Sequence, residues 1–246
     1  MSYPIYIFFG LAPSFVWLLF YLQKDRHPES NKMIIRVFLF GMAIALVAAF
    51  AEIGILKFFQ SLFPQWVENN FFYFFVLYNF LGIALVEEFT KYLVVWQKVL
   101  NHSEFDEPVD TMLYMIISAL GFAALENLLI LLPGGKPFLF AEVLTTSALR
   151  FIGATLLHAL CSGTLGYFLA LSFCETKRRR AILVIWGLTL ASFLHGLYNF
   201  SIMETTRSPM FWLVPLIILI GLAIFVIYKF EKIKELKSVC KVNLTK

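Results

Sequence analysis

The chain has 246 residues, of which 60% are hydrophobic and only 15% charged, with a net charge of +4 and a mean hydropathy of +0.80. Soluble domains average about 45–50% apolar and about 25% charged residues, so these values exclude a soluble enzyme, a disordered chain and a nucleic-acid-binding module. What remains is an all-α polytopic membrane protein. The apolar runs are too long and unbroken for the alternating strands of a membrane barrel, and Cys161, Cys174 and Cys240 are too few and too scattered for a disulfide framework.

About 20 mostly apolar residues cross a bilayer as a helix. Residues 1–23 carry no charge and predict a first span, retained because no basic residue precedes it and no small-residue cleavage site follows. Residues 37–59 predict the second, interrupted by Glu52 and Lys57. The third lies within 71–98 and contains Glu87, Glu88 and Lys91. Residues 111–132 form the fourth, around Glu126, and Pro133-Gly134-Gly135 signals the turn that ends it. Residues 151–173 hold His158, residues 181–200 hold His195, and residues 208–228 are free of ionisable groups apart from the ends. Seven helices in a single domain over 1–246 follow, without repeats or linkers.

Basic residues set the orientation. Lys24, Arg26, Lys32 and Arg36 follow span one, Lys98 follows span three, Lys177, Arg178, Arg179 and Arg180 follow span five, and six lysines follow span seven. Fifteen cations on one side oppose three on the other, Lys57, Lys136 and Arg207. The expectation is an external N-terminus and a cytoplasmic C-terminus. Residues 71–101 are too long for one simple crossing, so a crossing over 79–98 is preferred, with the aromatic stretch before it in the outer interface or re-entering.

A charge at mid-membrane costs from about 2.5 kcal/mol to well over 10, so intramembrane ionisable groups face a protein interior and do something there. Here they are Glu52, Glu87, Glu88, Lys91, Glu126, His158 and His195. Lys91 stands i+4 from Glu87 and i+3 from Glu88, within reach of either. His195 and Asn199 share a helix face, as do Phe122 and Glu126, with Asn127 adjacent. At about 1.5 Å per residue, Glu87, Glu126, His158 and His195 all fall roughly 8–12 Å below the outer ends of their helices. Carboxylates and imidazoles converging at one level suit hydrolysis. A metal held by His158, His195 and Glu126 would make hydroxide at neutral pH, with another glutamate as general base. Without a metal, a Glu–His pair could activate water directly. His195 or Asn199 could then stabilise the oxyanion.

These residues also form a recognisable pattern. Glu87-Glu88-Phe89-Thr90-Lys91 fits EExxK, and Phe122 to Asn127 fits FxxxEN. Arg150 with His158 supplies a third motif, and His195 to Asn199 an HxxxN/D fourth. In this order, on separate helices, they resemble the PrsW-type bacterial intramembrane proteases, a branch of the glutamate-dependent membrane proteases that includes the type II CAAX prenyl endopeptidases. The opening APSFVWLLFYLQKDRHPES is similar to that family's N-terminus as well. The resemblance implies an intramembrane endopeptidase of the bacterial cytoplasmic membrane that cleaves a membrane-protein or peptide substrate. In the PrsW branch, the implied substrate is a single-span anti-sigma factor, cut on its extracytoplasmic side. It implies a site of Glu87, Glu88, Glu126, His158, His195 and Asn199, supported by Lys91, Asn127 and Arg150. Zinc is the candidate cofactor, no organic cofactor or nucleic acid is expected, and a metal-free glutamate mechanism stays open. Asn199 stands where some relatives have Asp, which favours an oxyanion donor over a base or ligand.

Structural readings stand beside these. Glu87 with Lys91 can be a neutralised ion pair, Glu126 with Asn127 an interhelical hydrogen-bond glue, His158 a packing residue among small neighbours, Arg150 an interfacial anchor and Glu52 a polar contact. A proton-coupled transporter would also use buried Glu and His, but no inverted repeat or Gly/Pro-broken helix pair is present. A haem protein would need His158 and His195 as axial ligands.

Overall fold

The computed structural model describes residues 3–25, 27–102, 104–132, 138–173, 175–205 and 208–235. The expected turn at Pro133-Gly134-Gly135, the residues Lys136, Arg207, Arg26, Cys174 and Cys240, and three of the C-terminal lysines lie outside them. The described residues are helical, with no strand among them: α1 (Tyr3–Leu22), α2 (Asn31–Leu62), α3 (Pro64–Asn69), α4 (Phe71–Leu77), α5 (Leu85–Lys98), α6 (Pro108–Leu131), α7 (Phe140–Ile152), α8 (Ala154–Ser172), α9 (Lys177–Glu204) and α10 (Leu213–Ile233). Seven helical stretches are long and apolar enough to cross a membrane, as expected.

The fourth span is the hub. A helix that is apolar on every face belongs at the centre of a bundle, and α6 is buried on all sides from Val109 to Ala124. It starts sharply because Pro108 takes the first helical position and Asp110 Oδ2 accepts from the Asp106 and Glu107 amides at 3.1 and 2.9 Å. α1, α2 and α8 pack around it. Small residues let these backbones approach. A side-chain carbon at Gly121 would strike the Phe38 carbonyl, and one at Gly41 the Ser118 carbonyl. Backbone on the facing helix cannot rotate aside, so Gly121→Val should part α2 from α6 and cost about 1–3 kcal/mol or more. A thermal melt of the purified chain checks this.

Two stretches depart from the sequence reading. In residues 71–98 the aromatic segment does not fold back from the helix that follows it. These residues run as one helical rod in which α4 passes through a π-helical segment (Tyr78–Ala84) into α5. A π segment accommodates an extra residue per turn and commonly marks a functional site. Here it aims Asn79 at α9, where its amide donates to the Gly196 carbonyl at 2.7 Å. The fifth span starts earlier than residue 151: α7 and α8 together cover Phe140–Ser172 and break at Gly153. The Tyr198 hydroxyl packs where a Cβ at Gly153 would stand, and Trp17 Nε1 donates to the Phe151 carbonyl at 2.8 Å, fixing the break.

The acidic loop 101–110, opaque in sequence, clasps the 27–30 segment. His27 Nδ1 lies 2.7 Å from Glu107, Ser30 Oγ donates to Glu104 at 2.5 Å, and the Tyr114 hydroxyl donates to Glu29 at 2.6 Å. Burial raises the Glu29 carboxyl above its ordinary range.

Candidate active site

Four helices deliver the intramembrane ionisable groups to one place. On α5, Glu87, Glu88 and Lys91 fall on the buried face with Val94 and Val95. Lys91 is wholly buried, and its three ammonium hydrogens match three acceptors: Glu87 Oε2 at 3.2 Å, Glu88 Oε1 at 2.9 Å and His158 Nδ1 at 2.7 Å. The ammonium also sits 4.3 Å from the centroid of the Phe122 ring. Spacing allowed Lys91 either glutamate, and it holds both.

An ammonium can only donate, so His158 Nδ1 accepts and Nε2 carries the hydrogen. That Nε2 lies 2.7 Å from Glu126 Oε2. His195 is arranged differently. Its Nδ1 faces Glu88 Oε1 at 2.9 Å, and Glu88 Oε2 accepts from Ser162 Oγ at 2.6 Å. A carboxylate so held receives the Nδ1 hydrogen, leaving Nε2 with its lone pair 3.8 Å from Glu87 Oε2. The two imidazoles meet edge to face with centroids 4.9 Å apart, which leaves no room for a macrocycle between them and removes the haem reading.

Glu126 is the most exposed of these carboxylates, at 29% of its side-chain surface. Arg150 bridges it to its neighbour: Nη2 lies 3.2 Å from Glu126 Oε2 and Nε donates to Asn127 Oδ1. Asn127 then donates to Thr155 Oγ1 at 3.1 Å. The break at Gly153 makes this possible, because it separates Arg150 on α7 from His158 on α8 so that both converge on Glu126. Arg150, an interfacial anchor on one sequence reading, is bonded into the cluster. Asn199 stands one turn beyond His195, half-buried, and bonds to none of these groups among the described residues. Glu52 is half-buried on α2 and within electrostatic range of Glu126 and Lys91, while its own carbonyl accepts from the Tyr78 hydroxyl at 3.2 Å.

The structure offers a candidate metal set that shares both histidines with the set expected from sequence. Among the described residues, Glu87, His158 and His195 offer three ligand atoms within 4.8 Å of one another, all from buried residues. Glu87 takes the place assigned from sequence to Glu126, which caps His158 from the far side. Two imidazoles and a carboxylate are a donor set of catalytic zinc sites, so these side chains fit a metal that would take the His158 Nδ1 lone pair and the Glu87 oxygen now held by the Lys91 ammonium, with Lys91 turned aside onto Glu88. Charge points the same way. The hydrogen-bonded network holds three glutamates against Lys91 and Arg150, and an uncompensated buried charge is costly. A proton or a cation balances it.

Sequence reasoning missed the residues that hold this cluster without ionising: Asn79, Ser118, whose hydroxyl donates to the Lys91 carbonyl at 3.2 Å, Thr155 and Ser162. The usable signal was a polar side chain within an apolar run. Removing the Asn79 amide should loosen α9 at Gly196, so Asn79→Leu is expected to lower cleavage about tenfold while the chain still inserts, read by substrate turnover against expression level.

Comparison with known proteins agrees with this geometry. The family described as PrsW family intramembrane metalloprotease matches residues 29–228. "Protease PrsW" of Geobacillus kaustophilus is 33% identical over 200 residues, 80% of this chain and 80% of that protein. "Protease PrsW" of Oceanobacillus iheyensis is 30% identical over 228 residues, 92% of this chain and 94% of that protein, and the Bacillus subtilis protein of the same name is 27% identical over 210 residues, 85% and 87% of the two chains. No solved structure matches significantly. With a family match spanning most of its length, seven membrane-length helices and a buried Glu/His/His group, the chain belongs to the PrsW family of intramembrane metalloproteases.

Proposed function

We propose that this chain hydrolyses a peptide bond of a membrane-anchored substrate, a single-span anti-sigma factor cut on its extracytoplasmic side, with Glu87, His158 and His195 as ligands of a zinc ion. The single observation that carries the reading is the buried group of one carboxylate and two imidazoles with ligand atoms within 4.8 Å. A zinc ion held by Glu87, His158 and His195 would supply a water of lowered pKa and Lewis acidity at the site. Glu88 orients His195 by holding its Nδ1 hydrogen, a carboxylate–histidine arrangement of the kind that fixes metal ligands. Lys91 offsets one of the two charges that Glu87 and Glu88 carry. Glu126, at the open edge of the cluster, takes the proton of the attacking water and returns it to the leaving amine, while Arg150 and Asn127 hold it in position. Asn199 donates to the developing oxyanion.

The bias of fifteen cations to one side supports an external N-terminus and a cytoplasmic C-terminus, with residues 1–246 as one domain. Glu126 and His195, near the ends of α6 and α9 that this orientation places outside, would then lie toward the extracytoplasmic side. Co-expression with a tagged single-span anti-sigma factor tests the proposal. The intact chain should release the soluble portion, and Glu87→Gln, Glu88→Gln, His158→Ala and His195→Ala should each block release. Release at the normal rate from all four would refute the site. A chelator added to the purified chain should stop cleavage, and zinc should restore it.

A further inference from the structure

The end of the bundle away from the active cluster carries a second built feature. α5, α8 and α9 diverge there around an open cleft of about 390 Å³, within the size range of ligand pockets, about 300–1,000 Å³. Trp96, Leu169, Phe173 and Val184 contribute to its apolar wall, and Lys177 and Arg180 stand at its edge. Among the described residues no carboxylate lines it.

Three observations make the mouth of this cleft a receptor for negative charge. Lys177, Arg178, Arg179 and Arg180 occupy the first turn of α9, with no acidic residue among them. Cations there oppose the helix macrodipole, whose positive end is the N-terminus, so an anion relieves both terms. Arg180 is fixed in place: its Nε and Nη2 donate to the Ser172 and Phe173 carbonyls at 3.4 and 3.3 Å, over the Phe173 ring at 5.8 Å. Those bonds use two of its five donors. Of the acids of the neighbouring loop, Glu104 bonds to Ser30, Glu107 to His27 and Asp110 to backbone amides, and none of the loop's carboxylates lines the cleft. Glu175, just before α9, pairs with Arg179 at 3.5 Å and does not line the cleft.

We infer that this cleft binds an anionic phospholipid, its acyl chain against the Trp96–Leu169–Val184 wall and its phosphate on Lys177 and Arg180. The chemistry requires both halves: an apolar slot open to the bilayer and cations at headgroup depth, which is how basic pockets between membrane helices hold acidic lipids. The site is separate from the hydrolytic cluster and does not depend on the reading of that cluster.

The test uses the full-length chain in nonionic detergent and measures retention of fluorescent phosphatidylglycerol. Competitors are phosphatidylcholine of the same acyl chains and free glycerol phosphate. Phosphatidylglycerol should be retained and displaced by neither competitor at equal concentration. Lys177→Gln, which leaves the Arg180 bonds intact, should weaken retention about fivefold, and Lys177→Gln with Arg180→Gln about 25-fold. Arg178→Gln with Arg179→Gln makes the same change in net charge outside the cleft and should leave retention within about twofold. Ala181→Trp fills the slot without changing charge and should abolish retention. Equal losses from the two charge pairs would show diffuse attraction and overturn the site, as would full retention in Ala181→Trp. Displacement by glycerol phosphate would reduce it to an anion site without a lipid slot.

Discussion

Glu126→Gln should lower cleavage by about 10²–10⁴-fold, the usual contribution of a general acid–base group, while leaving the fold and any bound metal in place. The amide has the shape of the carboxylate. Its oxygen can still accept the hydrogen from His158 Nε2, 2.7 Å away in the native chain, and the Arg150 Nη2 hydrogen at 3.2 Å. What it loses is the capacity to take a proton from water. Single-turnover cleavage of a tagged membrane substrate, normalised to the amount of folded enzyme, measures the effect. A normal rate in this variant would remove Glu126 from the chemistry and leave it as the helix-bridging contact that its bonds to Arg150 and His158 also make.

Lys91→Met should have the largest effect on stability, a loss of about 3–5 kcal/mol. The substitution preserves volume and leaves Glu87 and Glu88 without their shared ammonium, at positions that are 4% and 0% exposed. It also strips His158 Nδ1 of its donor. Adding Glu88→Gln to Lys91→Met should recover part of the loss, because one of the two stranded charges is then gone. Adding a substitution at exposed Arg178 should recover none. Unfolding of the purified chain in graded denaturant, read as a double-mutant cycle, separates these outcomes. A Lys91→Met chain as stable as the original would mean that the glutamates are neutralised by something other than the lysine.

Much of this architecture was readable from the sequence because a bilayer imposes length and polarity on every span. The seven helices followed from apolar runs, and the few charges inside those runs isolated Glu87, Glu88, Lys91, Glu126, His158 and His195. Spacing along one helix also put Lys91 beside both of its glutamates. Relations between helices were not readable. That Glu87 lies within 4 Å of both imidazoles while Glu126 reaches His158 alone depends on the rotation and tilt of α5 against α8 and α9, which helix periodicity leaves free. The π-helical segment at Tyr78–Ala84 and the break at Gly153 were hidden for a related reason. Both are local departures from 3.6 residues per turn, stabilised by contacts from distant residues: Gly196 receiving Asn79, and Tyr198 and Trp17 packing around Gly153. Arg150 could not be assigned to Glu126 and Asn127 until the direction of that break was known.

The central claim is that Glu87, His158 and His195 hold a metal while Glu126 acts beside it. Elemental analysis of purified chains tests it most directly. The unaltered protein should carry about one zinc per chain, as catalytic sites with three protein ligands do. His158→Ala, His195→Ala and Glu87→Gln should lose it, and Glu126→Gln should keep it. Zinc retained in Glu87→Gln and lost in Glu126→Gln, or full cleavage by metal-free protein, would contradict the account.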